Sequence, residues 1–198
     1  AYARLSRELK FWLYVTVLAT STAAFYAFLA GAPIVLGSYG VGPQHIGWYI
    51  MAVPVSYILG NYLTSHWIHS KGERRVMGLG MVASLAGLVL LLALGWAGWH
   101  SPLAFALPLL LLGLGHGFLN PPALAGTVGV VPALAGSAAA VAGLLQQLTG
   151  AVGGYVVGLV SHQGSVNLGL LMTGFTLCGG VALLMLNRRL KPSSRTRS

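Results

Sequence analysis

Acidic residues are almost missing from this chain: its 198 residues include only Glu8 and Glu73, against eleven Lys and Arg. Cysteine is nearly missing too, with Cys178 alone, which excludes an internal disulfide and a thiolate metal cage built by this chain. Residues 11–70 and 76–187 contain no Asp, Glu, Lys or Arg at all. Uncharged intervals of that length exclude an ordinary soluble domain, whose surface carries charge throughout. A hydrocarbon core of about 30 Å takes roughly 20 apolar residues per helix, so the intervals have room for about two and about four spans. The chain is thereby expected to be an all-α membrane protein of six transmembrane helices.

Hydropathy and turn residues place the spans near 11–36, 45–68, 76–98, 103–125, 135–160 and 166–187, a bundle occupying 11–187. Residues 1–10 form a basic strip that reads as the end of a preceding cytoplasmic linker, without the cleavage site of a signal peptide, and 188–198 form a basic tail. Pro33 is expected to break the first span. The Pro121-Pro122 pair is expected to bend the end of the fourth, before a loop near 126–134. His69 to Arg75 reads as a basic loop, and Ser161-His162-Gln163-Gly164 as a turn. Every basic cluster falls on one side of the membrane only if even numbers of spans separate them, which the count of two and then four satisfies. The positive-inside rule then makes both termini cytoplasmic. Five tryptophans, Trp12, Trp48, Trp67, Trp96 and Trp99, stand near span ends, where interfacial anchors belong.

A net charge of +9 raises the possibility of nucleic acid, but the bases sit only at span ends and not along a polar, aromatic face, which excludes it. Polar groups divide unevenly. The third and sixth spans carry almost none and suit lipid, whereas Tyr26, Tyr57, Asn61, His116, Asn120, Gln146 and Gln147 lie in the other four, where they need a partner helix or a wet cavity. Gly143, Gly150, Gly154 and Gly158 recur near one face of the fifth span, with two overlapping Gly-x-x-x-Gly steps, and mark it as a helix-interface element.

Three segments carry a family resemblance. They are Phe25-Tyr26-Ala27-Phe28-Leu29-Ala30-Gly31-Ala32-Pro33, the Gly42-Pro43 turn leading to Gly47-Trp48-Tyr49, and the run from Val131-Pro132 through Ala135-Gly136-Ser137-Ala138 to Gly143-Leu144-Leu145-Gln146 with Gly150-Ala151. The chain resembles the C-terminal half of major facilitator superfamily transporters, and within them the Bcr/CflA multidrug efflux family. Lys71, Gly72, Arg74 and Arg75 look like a degenerate copy of the superfamily's cytoplasmic loop motif, with His69 at the usual Asp position.

The resemblance implies two inverted three-helix repeats, the first and fourth helices lining a cavity, the second and fifth meeting an N-terminal six-helix half, and the third and sixth facing lipid. It also implies proton-coupled export of small amphipathic organic compounds by alternating access, in a bacterial inner membrane. No span here carries a carboxylate, and in such antiporters the coupling acid usually lies in the first half. The chain alone is therefore expected to be incompetent for coupled transport, with protons handled through the other half.

Candidate cavity residues are Phe25, Tyr26 and Phe28, whose aromatic faces suit flat or cationic compounds, together with His116 and Gln146. His116 can titrate, bind substrate or hydrogen-bond a neighbouring helix, alternatives the sequence leaves open. Asn120 is expected to satisfy backbone groups freed by Pro121 and Pro122. His66 and His69 lack a third convergent ligand, so no metal is expected; no phosphate loop is present, and no cofactor is expected. Two other classes remain: an autonomous six-helix protein that dimerises in a structural or channel-like role, and a membrane-embedded enzyme, for which no constellation of acids, His and nucleophiles is found.

Overall fold

The computed structural model describes residues 5–160 and 164–189. Of the sequence readings, Ser161, His162 and Gln163 of the fifth turn, most of the basic tail and Arg4 lie outside those residues. Six long helices follow one another: α1 Leu9–Ser38, α2 Pro43–Lys71, α3 Glu73–Trp96, α4 Pro102–Gly129, α5 Ala135–Gly158 and α6 Ser165–Arg189, with a short 3₁₀ turn at Pro132–Leu134. All six are long and apolar enough to cross a membrane, and no strand occurs among the described residues.

Several helices are longer than their sequences suggest. α1 runs through Pro33 to Ser38 without the expected break, and α4 runs through Pro121 and Pro122 to Gly129. A proline removes one N–H and crowds one carbonyl, which packing on several sides can hold in place. The expected loop at 126–134 shrinks accordingly. The basic loop shrinks further: α2 ends at Lys71, α3 starts at Glu73, and Gly72 alone joins them.

Gly72 has φ 79° and ψ 151°, a conformation open to glycine and costly for any L-residue. Its N–H still closes on the Ile68 carbonyl at 3.0 Å, so the chain reverses within one residue. Gly72→Ala is expected to lower stability by about 1–3 kcal/mol, read as a reduced melting temperature of the detergent-solubilised protein.

Packing follows a symmetric plan. α4 lies along α2 and α3, α1 lies along α5 and α6, and α3 meets α6 while α1 meets α4. Exchanging α1 with α4, α2 with α5 and α3 with α6 maps this set of pairs onto itself. Consecutive spans alternate in direction, so helices three apart are antiparallel, and the two three-helix units are inverted copies.

α1 and α4 are the most enclosed helices, with 67% and 61% of their most apolar stretch buried, whereas α2 and α5 have 17% and 22%. The nearly apolar α3 and α6 are therefore not the outermost helices of this bundle: α2 and α5 are. The main core gathers Phe28, Val35, Leu36, Leu88, Leu91, Phe105, Leu109, Leu112, Leu168 and Met172 between α1, α3, α4 and α6.

Close approach is built mostly on α4. Gly113 and Gly117 face α2, and Gly115, about 200° around the helix, faces α3. A Cβ on Gly117 would stand 2.6 Å from the Tyr57 carbonyl oxygen and 2.7 Å from Gly60 Cα. At the same crossing the Thr64 hydroxyl donates to the Gly117 carbonyl at 2.9 Å.

The stripe read from α5 does not behave as one interface. Gly143 and Gly158 have open space where a Cβ would go, and Gly154 is in ordinary contact only. Gly150 does pack, against the ring of Tyr26, and Gly153, outside the stripe, sits on the Ala23 backbone. Residues 146, 150, 153 and 157 keep one 3.6-residue face toward α1, and the steps of four from Gly150 to Gly154 and Gly158 drift off it.

Candidate functional site

A cleft of about 260 Å³ opens among α1, α2, α4 and α5. Its lining is Ser21, Thr22 and Phe25 from α1, Val53, Pro54 and Tyr57 from α2, Gly113, His116 and Asn120 from α4, and Gln146 from α5. Each set lies near the middle of its helix, so the cleft sits halfway along the spans. Helical spacing explains the sets: 21 and 25, 53 and 57, and 116 and 120 are i, i+4 pairs that share a face.

α1 organises the polar lining. The Ser21 hydroxyl reaches both the Leu18 carbonyl at 2.9 Å and Asn120 Oδ1 at 2.7 Å. The Thr22 hydroxyl donates to the same Leu18 carbonyl at 2.9 Å and accepts from Gln146 Nε2 at 2.8 Å. Two adjacent hydroxyls on one helix thus each hold a side-chain amide from another. Bonding of Ser and Thr to the preceding turn satisfies the hydroxyls inside lipid and aims their oxygens at neighbouring helices.

The structure brings together three of the five expected cavity residues. Phe25, Gln146 and His116 line the cleft, and His116 is only 3% exposed. Phe28 does not: it is buried in the main core, with its ring stacked on Phe105 at 6.4 Å. Three residues advance a helix by about 300°, which turns Phe28 away from the face of Phe25. Tyr26 lies outside the lining as well, on the α1–α5 seam, where its hydroxyl donates to Gln147 Oε1 at 3.0 Å. Asn120 is bonded to Ser21, a side-chain partner in place of the expected proline-freed backbone.

Ser21 and Thr22 do not stand out in the sequence, because hydroxyls are ordinary in membrane helices. Their spacing of four and three before Phe25 was the available signal.

A larger hollow of about 720 Å³ lies at the charged end of the bundle, between Arg7, Glu8, Lys10, Tyr14, Glu73 and the end of α4 from Ala125 to Val130. Here the Tyr14 hydroxyl donates to Glu73 at 2.5 Å, joining α1 to α3. Of the expected loop residues, Lys71 ends α2 with its ammonium 3.8 Å above the Trp67 ring, which itself stacks on Phe118. Arg74 and Arg75 are exposed in the first turn of α3. Among the described residues no three His, Cys, Asp or Glu gather in a metal-binding group.

Six apolar helices in two inverted triplets around a mid-span cleft define a multi-pass membrane protein, and its family makes it a transporter. The chain belongs to the Major Facilitator Superfamily, whose family model matches residues 13–198. No curated protein matches the chain.

Proposed function

We propose that the chain is the C-terminal six-helix bundle of a proton-coupled multidrug exporter of the Bcr/CflA kind, and that the α1–α2–α4–α5 cleft is this half's share of the substrate site. The observation that carries the reading is the cleft itself: neutral polar groups beside Phe25, at mid-span, from the two most enclosed helices and from α2 and α5. Its volume falls below the range of about 300–1,000 Å³ that drug-sized ligands occupy, which fits a site completed by an N-terminal six-helix half. We assign to that half the open faces of α2, with Trp48, Met51 and Ile58, and of α5, with Leu144, Leu148 and Tyr155. The substrates are small amphipathic organic compounds, exported by alternating access across a bacterial inner membrane, with both termini cytoplasmic.

Coupling belongs to the other half in this reading, because the one carboxylate on a spanning helix, Glu73, stands at the charged end of α3 and none lies at mid-span. The test is drug export driven by a pH gradient in everted membrane vesicles carrying the protein as its gene encodes it. Phe25→Ala and Gln146→Ala are expected to cut export of several compounds about ten-fold, the scale of one lost buried contact, at normal protein levels. His116→Gln is expected to keep the dependence on the gradient. Unchanged export in Phe25→Ala and Gln146→Ala would remove the cleft from the substrate path, and uncoupled export in His116→Gln would move proton handling into this half.

A further inference from the structure

The α3–α6 seam holds another hollow, away from the cleft and from the faces of α2 and α5 that we assign to the other half. A groove of about 360 Å³ runs between the two helices, lined among others by Gly78, Val82 and Leu85 of α3 and by Leu177, Val181 and Leu184 of α6. Val82, Leu177, Val181 and Leu184 are exposed apolar side chains on spanning helices, so they meet hydrocarbon. Gly78 keeps the groove open, since a Cβ there would have nothing within 4 Å. A flexible acyl chain suits such a channel, and a charged group does not.

The groove is apolar along its length and polar at one end. Asn187 of α6 joins the lining there, and its Oδ1 is enclosed without a hydrogen-bond partner among the described residues. This is the charged end of the bundle, where α3 starts and α6 stops. Helical spacing carries both walls of the groove on to an arginine. Arg74 precedes Gly78 by four residues and Arg188 follows Leu184 by four, so each shares the groove-lining face of its helix. Both arginines are exposed. The two acids of the chain belong to the α1 side: Glu8 precedes α1, and Glu73 accepts the hydroxyl of Tyr14.

An apolar channel that ends between two arginines at headgroup depth complements an anionic phospholipid, which carries hydrocarbon on one side and negative charge on the other. Guanidinium groups match phosphate oxygens with paired N–H donors. A zwitterionic lipid brings the same phosphate beside a choline cation, which the arginines repel.

We propose that the α3–α6 groove binds one anionic glycerophospholipid, with an acyl chain along Val82, Leu177, Val181 and Leu184 and its phosphate between Arg74 and Arg188. A turn of the Asn187 amide about its soft terminal torsion offers the unpartnered oxygen to a hydroxyl of the headgroup. The lipid thereby bridges the two three-helix units at their charged end.

Native mass spectrometry of the protein as its gene encodes it, titrated in detergent with dioleoyl phosphatidylglycerol or dioleoyl phosphatidylcholine, reads the first bound lipid directly. Phosphatidylglycerol is expected to bind about ten-fold more tightly than phosphatidylcholine, and Arg74→Gln and Arg188→Gln each to weaken it about five-fold. Gly78→Leu, which places a side chain in the open space of the groove, is expected to weaken both lipids. Glycerophosphoglycerol, the headgroup without its chains, is expected not to bind. Wild-type melting of all three variants excludes misfolding as the cause.

Equal binding of the two lipids by the wild-type protein overturns the selectivity for negative charge. Wild-type affinity for phosphatidylglycerol in both arginine variants places the phosphate elsewhere and overturns the site. Unchanged binding of both lipids in Gly78→Leu, or binding of the bare headgroup as tight as that of the lipid, overturns the part played by the groove.

Discussion

Gly117→Val abolishes recovery of folded protein, whereas Gly143→Val and Gly158→Val melt as wild type: this is the expected result of substituting glycines that the sequence alone does not distinguish. Glycine in a helix interior already costs about 1 kcal/mol relative to Ala, so added side chains in open space are neutral or mildly favourable. At Gly143 and Gly158 the space is open. At Gly117 the Cβ position is crowded by the Tyr57 oxygen, Gly60 Cα and the Asn61 nitrogen at 2.8 Å, all backbone atoms that cannot rotate aside.

Gly60 presents the mirror image, with a Cβ 2.9 Å from Gly117 Cα, so the two helices touch backbone to backbone. Overpacking costs about 1–3 kcal/mol where side chains can shift, and more where they cannot. Separating α2 from α4 also lengthens the Thr64 to Gly117 hydrogen bond and opens the cleft wall at Tyr57. Fluorescence-detected gel filtration of detergent extracts measures the outcome. A Gly117→Val protein with the wild-type profile would show that α2 and α4 do not approach as described.

The second large effect is expected at the charged end. Tyr14 is 5% exposed, its hydroxyl is bonded to Glu73, and its ring fills the place where a side chain on Gly126 of α4 would stand. One residue therefore ties the ends of α1, α3 and α4 together. Hydrogen bonds to charged groups contribute about 1.5–3 kcal/mol when well enclosed. The carboxylate is only partly covered, so Tyr14→Phe is expected to cost about 1–2 kcal/mol after allowance for water.

Glu73→Leu costs as much by leaving the phenol without its acceptor, and the double variant costs little more than either alone. A double-mutant cycle on melting temperature measures that coupling. Additive losses would show that the bond contributes nothing. Gly126→Leu, by forcing the Tyr14 ring out, is expected to reproduce the loss.

Charge made the topology legible in the sequence. Two acids and three basic clusters in a chain this long leave six apolar stretches, and the family resemblance supplied their pairing into repeats. Helix ends were less legible. Pro33 reads as a break and Pro121-Pro122 as a bend near a helix end, because a proline's local cost is visible in the sequence and the packing that offsets it is not.

The site was half legible. Asn120, Gln146, the lone mid-span histidine and Phe25 stand out against an apolar background, and the cleft contains them, whereas Asn61 and Gln147 stand out equally and lie outside its lining. Phe28 stands out equally and is core, because three residues of helix turn it from the cleft to Phe105. Tyr26 went the other way, to the seam with Gln147. Of the α5 glycines, Gly150 packs on α1, while Gly154 and Gly158 turn off that face because steps of four outrun the 3.6-residue pitch.

The sequence by itself determined that this chain resides in a bilayer, how many times it crosses, and that residues 11–70 and 76–187 carry no Asp, Glu, Lys or Arg. Those properties follow from what the residues are, since a bilayer excludes charge wherever it falls along a span. The tertiary structure decided which polar residues meet. Ser21 with Asn120 and Thr22 with Gln146 are separated by about a hundred residues or more, and Gly60 with Gly117 by nearly sixty. Contact across such separations depends on the rotation of one helix against another, which only packing fixes.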